Sequence, residues 1–157
     1  MQFIIAATQG PMLESWRSGL AHVAGVDFRE GYGTDVAHGA DAVLLPFQLA
    51  TDRYGGKPVI GFAEVLSNAR NDGYPGKVVT TPPFPAGPVV TDSDVLCDRL
   101  FFTFSACFLA VQRHNAVSRA ERIAVLLIHL EGAAIIKFPE EVAVSAFKRA
   151  VAAFDIG

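Results

Sequence analysis

Short apolar runs alternate along this chain with segments whose apolar residues recur at the helical period. Two of the runs, residues 42–45 and 122–129, consist largely of Ala, Val, Leu and Ile, which is typical of interior strands buried on both faces of a parallel sheet. Shorter runs at residues 3–5, 26–29 and 77–81 predict three further strands. Strands that alternate with helices predict an α/β fold of three layers, in which helices cover both faces of a mixed, largely parallel central sheet.

Four segments are predicted to be helical. In the first, residues 12–23, apolar side chains recur every three or four positions. Asp92 or Ser93 is placed to cap the third helix, and Pro139 followed by two acidic residues favours the start of the fourth. Before the strand at 77–81, the sequence NDGYPG at residues 71–76 predicts a tight turn. The predicted helices cover residues 12–23, 61–70, 94–114 and 139 onward.

Composition restricts the classes of function. The 157 residues are enough for one domain, residues 1–157, and 51% of them are hydrophobic. A net charge of −3 with no run of Lys or Arg gives no general attraction for nucleic acid, so we expect no nucleic-acid partner. Cys97 and Cys107 fall too far apart on one predicted helix to form a disulfide. With no zinc-ligand pattern and no basic leader, these features favour a cytoplasmic protein that holds neither metal nor cofactor.

The most apolar stretch, LFFTFSACFLAV at residues 100–111, invites comparison with a membrane helix. It has about half of the roughly 20 residues that a bilayer requires, and Arg99 and Arg113 flank it. Its phenylalanines recur at spacings typical of a core helix. We therefore expect a helix packed on the sheet and no membrane association.

A glycine-rich segment follows the apolar run at residues 42–45. Pro46 prevents the strand from continuing, and Gly55 and Gly56 can adopt positive φ and leave their backbone N–H groups uncovered. The helix predicted to begin beyond Gly61 would point its positive dipole end at this loop. The segment predicts a phosphate-binding loop; the alternative is an ordinary tight connection between a strand and a helix.

The order of elements resembles that of a macrodomain, the ADP-ribose-binding module. Macrodomains carry a strand with the sequence Asp-Ala-Ile-Val-Asn-Ala-Ala-Asn before a glycine-rich loop. This chain has DAVLLPFQ at residues 41–48, followed by Tyr54, Gly55 and Gly56. Near the C-terminus, the family has a strand, a second phosphate loop often written Ser-Thr-Gly-x-x-Gly-x-Pro, and a final helix; here residues 132–139 read GAAIIKFP. The resemblance covers most of the chain.

The resemblance implies that the protein binds ADP-ribose or a related nucleotide through two loops rich in backbone donors. It also implies an ADP-ribosyl hydrolase that acts on an ADP-ribosylated protein, with Gln48 and Asp52 as the catalytic candidates. Because the two loops contain only Asp52 as a general acid or base, we expect preference for ester-linked mono-ADP-ribose on Asp or Glu, where a carboxylate leaves without a proton. The ligand-binding candidates are Tyr54, Gly55, Gly56, Lys57, Gly132, Ala133, Ala134, Ile135, Ile136 and Phe138.

The chain also departs from the family pattern. Gln48 stands where many hydrolytic members have Asn, and Lys57 and Pro58 follow the glycine pair in place of an acidic residue. Two alternatives remain open. The protein is either a nucleotide binder or a noncatalytic interaction protein that uses the proline-rich loop at residues 82–88, with Phe84 at its tip. His129 is either a base in the site or a structural histidine, and the structural role is favoured.

Overall fold

The computed structural model describes residues 1–85 and 87–154, and therefore leaves out Ala86 of the proline-rich loop. It contains a central sheet of six strands with helices on both faces, which confirms the predicted three-layer α/β/α fold. The strands are β1 Gln2–Ala7, β2 Val26–Glu30, β3 Ala42–Leu45, β4 Val65–Ser67, β5 Lys77–Thr80 and β6 Val125–His129. The helices are α1 Gly10–Gly19, α2 Phe47–Tyr54, α3 Ser93–Val117 and α4 Glu140–Phe154.

The strands lie in the order β2-β1-β6-β3-β5-β4. All neighbouring pairs are parallel except β4 and β5, which are antiparallel at one edge of the sheet. The register pairs Ala6 with His129 and Leu45 with Thr80. The five parallel strands therefore end along one side of the sheet, called here the carboxyl edge. Ligands of open α/β sheets bind at this edge.

The two faces of the sheet carry cores of different size. The larger core, under α1, α3 and α4, centres on Phe3, Phe104, Phe108 and Phe147. Their ring centroids lie 5.1–6.2 Å apart in one tilted, one stacked and three edge-on pairs. The smaller core packs α2 and residues 31–40 against the opposite face of the same strands. The strands are buried on both faces, which explains their unbroken apolar runs.

The prediction of a helix at residues 61–70 is wrong. Strand β4, Val65–Ser67, occupies the middle of that segment and pairs antiparallel with β5. The predicted turn is present, with left-handed backbone at Asn71 and Gly73, and it joins the two strands as a hairpin. The weak helical spacing was overridden because Val65 packs against the larger core while the strand's backbone completes hydrogen bonds with β5.

Helix α3 is confirmed as a core helix. The Asp92 side chain caps its first turn by accepting hydrogen bonds from the backbone N–H groups of Asp94 and Val95, at 2.9 Å and 3.0 Å. One side of the helix is buried on the sheet, including Phe104 and Phe108. None of the helices in the described residues has the length and apolar character needed to cross a bilayer. Cys97 and Cys107 are both free thiols on α3.

Candidate functional site at the carboxyl edge

The glycine pair follows a helix rather than preceding one. Helix α2 starts directly after β3 and Pro46, and Gly55 ends it with φ +78° and a backbone N–H that donates to the Thr51 carbonyl at 3.1 Å. The expectation that a helix N-terminus faces this loop is therefore wrong. The helix end that meets the glycines is the carboxyl end of α2, which carries partial negative charge. The helix dipole therefore does not favour an anion in this loop.

A local N–H group does hold an anion in this loop, and the anion is the chain's own Glu64. The backbone N–H of Lys57 donates to both carboxylate oxygens of Glu64, at 3.1 Å and 3.2 Å. A side chain at Gly56, which has φ +122°, would place its Cβ 2.9 Å from a Glu64 oxygen, so glycine lets the carboxylate approach. Glu64 is fixed in turn by two contacts with Thr80: the Glu64 N–H donates to the Thr80 hydroxyl, and the Thr80 N–H donates to the Glu64 carbonyl, each at 2.9 Å.

Glu64 lies outside the segments singled out from the sequence. It sits seven residues after Lys57, in a stretch predicted to be helical, where nothing marks it as a partner of the loop. Glu64 lies at the carboxyl edge beside Thr80 because β4 pairs with β5. This contact depends on tertiary structure, so a local sequence signal for it does not exist.

Tyr54, the last residue of α2, is anchored by its hydroxyl group. The hydroxyl donates to the Asp72 carboxylate at 2.5 Å, and Asp72 also accepts from the Asn68 side-chain amide at 3.0 Å. Burial and the hydrogen bond to Asp72 raise the pKa of Tyr54 to about 12. Burial alone would raise the pKa of Asp72, but hydrogen bonds from Tyr54 and Asn68 lower it. The pair holds the end of α2 against the β4–β5 hairpin.

Gln48 and Asp52 both lie on α2, four residues apart, and both are exposed. This spacing places them on the same side of the helix, one turn from each other. The start of α2 is fixed at the carboxyl edge by the Phe47 N–H, which donates to the Thr81 hydroxyl at 3.1 Å. Gln48 therefore lies at the end of β3, about 12 Å along the helix from the glycine pair.

The second predicted loop uses its backbone donors internally. After β6, the Gly132 N–H donates to the His129 ring, and the N–H groups of residues 133–138 donate to nearby carbonyl oxygens at 2.8–3.5 Å. Ala134 adopts left-handed backbone with φ +61°, and residues Ile135–Lys137 form a 3-10 turn. A phosphate that used these N–H groups would have to replace existing hydrogen bonds.

His129 at the end of β6 has both ring nitrogens occupied. Its Nδ1 accepts the Gly132 N–H at 3.1 Å, so the proton is on Nε2, which donates to the Gly31 carbonyl at 2.8 Å. The side chain is 6% exposed. These contacts tie the end of β6 to the segment after β2, which fits the structural role favoured for this residue.

Two further residues meet at the carboxyl edge that the sequence did not single out. The Glu131 carboxylate accepts the Thr8 backbone N–H at 2.8 Å and also accepts the Thr8 hydroxyl. Thr8 follows β1 and Glu131 follows β6, so this contact ties the ends of two neighbouring strands. Glu64 and Glu131 both accept hydrogen bonds with their carboxylate oxygens, which is the role of the ionised form.

The two predicted loops share the carboxyl edge but pack on opposite faces of the sheet. Tyr54 belongs to the smaller core with α2, whereas Ala133, Ile135 and Phe138 belong to the larger core. Ile135 and Phe138 also line a cavity of about 80 Å³ beside Trp16 of α1. The structure therefore brings Gly56 and Lys57 together with Glu64, and it places the second loop next to α1.

No protein-family model matches the chain, and a search of curated proteins finds no relative.

Proposed function

We propose that the protein binds a nucleotide diphosphate of the ADP-ribose class at the carboxyl edge, where one phosphate replaces the Glu64 carboxylate on the Lys57 N–H. The observation that supports this is the contact itself: a backbone N–H beside Gly56 already binds a carboxylate, at 3.1 Å and 3.2 Å. Carboxylate and phosphate oxygens are recognised by the same N–H donors. The fold also supports this proposal, because nucleotides bind to open α/β sheets where the parallel strands end.

In this proposal the first loop supplies the donor, and the second loop supplies none. The N–H groups of Gly55 and of residues 132–138 have partners within the chain, so Lys57 is the donor whose partner a ligand can exchange. A macrodomain-like ligand would run along α2, from the glycine pair toward Gln48. The exposed side chains of Gln48 and Asp52 would then face its ribose.

For chemistry, we propose hydrolysis of ester-linked mono-ADP-ribose. Water would attack the anomeric carbon of the ribose while the bond from that carbon to the Glu or Asp carboxylate breaks and the carboxylate leaves. Gln48 would orient the ribose and the water molecule, and Asp52 would accept the proton of that water. Glu64 and Glu131 already accept N–H groups as ionised carboxylates and are poorly suited to donate a proton. An ester leaves as a carboxylate without protonation, whereas a serine alkoxide needs an acid.

Thermal unfolding in the presence of ADP-ribose, ADP and NAD tests the binding proposal. A ligand at one hundred times its dissociation constant stabilises the folded protein by about 2.7 kcal/mol, which raises the melting temperature measurably. We expect stabilisation by ADP-ribose. No shift with any of the three would contradict the proposal and favour the alternative of a noncatalytic interaction protein.

A second experiment tests the chemistry separately. Glu-linked and Ser-linked ADP-ribosylated peptides are offered at matched concentrations, and release of ADP-ribose is followed. We expect faster release from glutamate. Equal or faster release from serine would contradict a site that lacks a proton donor.

A further inference from the structure

An apolar groove lies along α3. Ala63 and Val65, which flank Glu64, line it, but Glu64 itself and the other residues of the nucleotide proposal do not. Its volume is about 520 Å³. The side chains of Phe62, Phe102 and Leu109, which are 55%, 44% and 38% exposed, lie beside the small residues Ala106 and Ala110. Large exposed apolar side chains gathered on one surface mark a binding site more often than chance exposure does.

The proline-rich loop extends the same surface. Phe84 is 46% exposed, and its ring lies 5.5 Å from the ring of Phe102. The loop is held there by the Pro83 carbonyl, which accepts the Gly61 N–H at 2.9 Å. The aromatic wall of the groove therefore combines the β4 side of the sheet, α3 and this loop.

The dimensions of the groove favour a narrow occupant. Its lining residues on α3 run from Phe102 to Val117, which is about 22 Å along the helix axis. Its volume of about 520 Å³ lies in the range of about 300–1,000 Å³ that small-molecule sites have. An extended alkyl chain matches a long apolar groove of this size.

The charges around the groove favour an anionic head group on such an alkyl chain. Among the described residues that line the groove none is acidic, and the exposed Arg113 lies toward the C-terminal end of α3. Within the part of the chain that the structure describes, the Arg113 guanidinium makes no hydrogen bond or ion pair. The neighbouring His114 ring is already bonded to the Glu121 carbonyl at 2.8 Å. Arg113 is thus the cation available to an anionic ligand.

We propose that this groove binds a long-chain fatty carboxylate, with its alkyl chain along Ala106 and Ala110 and its carboxylate on Arg113. The residues used in the two proposals do not overlap, so either proposal can fail alone. It also gives Phe62, Phe84 and Phe102 a shared role as the apolar wall of a ligand site.

The test is calorimetric titration of the full chain with laurate and palmitate below their micelle concentrations. We expect binding of one molecule per chain. Arg113→Ala should weaken it about tenfold, as expected for loss of a charge-assisted hydrogen bond. Arg99→Ala removes an exposed arginine of the same helix that does not line the groove, and should leave the affinity unchanged.

Two variants that fill the groove complete the test. Ala106→Trp and Ala110→Phe should each abolish binding, and circular dichroism selects the variant that remains folded. Absence of laurate and palmitate binding, equal losses in Arg113→Ala and Arg99→Ala, or undiminished binding in a folded filled variant would overturn the proposal. Sedimentation that shows a dimer which Ala106→Trp dissociates, without fatty-acid binding, would overturn it in favour of a second copy of the chain.

Discussion

The Lys57 backbone N–H points at the Glu64 carboxylate and donates to both of its oxygens, at 3.1 Å and 3.2 Å. The two residues lie at opposite ends of one connecting segment, since Lys57 follows α2 and Glu64 directly precedes β4. The carboxylate therefore acts as an internal ligand of the glycine loop. An external anion and Glu64 compete for the same donor.

Replacement of Glu64 should tighten nucleotide binding. In Glu64→Ala the competing carboxylate is gone, and its negative charge no longer repels a phosphate, so the affinity for ADP-ribose should rise about fivefold, equivalent to about 1 kcal/mol. Calorimetry measures the change. Glu14→Ala, which alters the net charge equally on α1, is the matched control and should have no effect. Weaker binding in Glu64→Ala would make Glu64 a ligand-binding residue instead of a competitor.

The bond between Tyr54 and Asp72 should make stability depend on pH. Tyr54→Phe removes one hydrogen bond and should cost about 1 kcal/mol in the free energy of unfolding at neutral pH. The lowered pKa of Asp72 stabilises the fold above the ordinary value of 3.8, and this contribution disappears as the pH falls through the lowered pKa. The raised pKa of Tyr54 stabilises the fold below the ordinary value of 10.0, and this contribution disappears as the pH rises toward 12.

Urea unfolding of the wild type and of Tyr54→Phe across the pH range measures this difference. The gap between the two proteins should be widest between those two ordinary pKa values and should narrow on both sides. A gap that stays constant down to acid pH would show that Asp72 does not depend on Tyr54.

Removal of the His129 ring should affect stability and leave binding unchanged. His129→Ala creates a cavity and leaves the Gly132 N–H and the Gly31 carbonyl without their partner, so we expect a loss of about 2–4 kcal/mol in the free energy of unfolding. Chemical denaturation gives the loss, and calorimetry at low temperature gives the ADP-ribose affinity of the folded variant. A small loss of stability together with a loss of ADP-ribose binding would show that His129 belongs to the nucleotide site.

Gln48 should influence turnover more than binding. A ribose-orienting amide acts mainly on geometry in the transition state, so Gln48→Ala should lower kcat about tenfold or more while the Kd for free ADP-ribose changes less than threefold. Kinetics on a Glu-linked substrate and calorimetry measure the two effects. Gln112→Ala on α3 is the control for removal of an exposed glutamine. Equal losses in kcat and affinity would leave Gln48 a binding residue only.

The interior strands were predictable because a strand that is buried on both faces has an unbroken apolar run, as at Ala42–Leu45 and Val125–His129. The cap at Asp92 was predictable because capping is local. Strand β4 was not predictable, since its three residues are too few to show the alternation of a strand, and its pairing partner β5 lies beyond a turn. The turn at residues 71–76 was the better indication that a hairpin forms there.

The candidate site was likewise predictable only in part. Gly55 and Gly56 were recognisable because their backbone requires positive φ, which glycine tolerates. Glu64, the residue that binds this loop, was not recognisable from the sequence, because it reaches Lys57 only after β4 pairs with β5. Likewise, the contact between Thr8 and Glu131 joins residues 123 positions apart and exists only once β1 lies beside β6.

The backbone amide signal of Lys57 in a nitrogen–proton correlation spectrum offers the most direct measurement of nucleotide binding at the glycine loop. Titration with ADP-ribose should produce the largest chemical-shift changes at Lys57 and Gly56, as phosphate replaces the Glu64 carboxylate, and the Lys57 change should saturate with the calorimetric Kd. Unchanged signals for both residues at saturating ADP-ribose, or changes confined to other parts of the chain, would contradict a phosphate site at this loop.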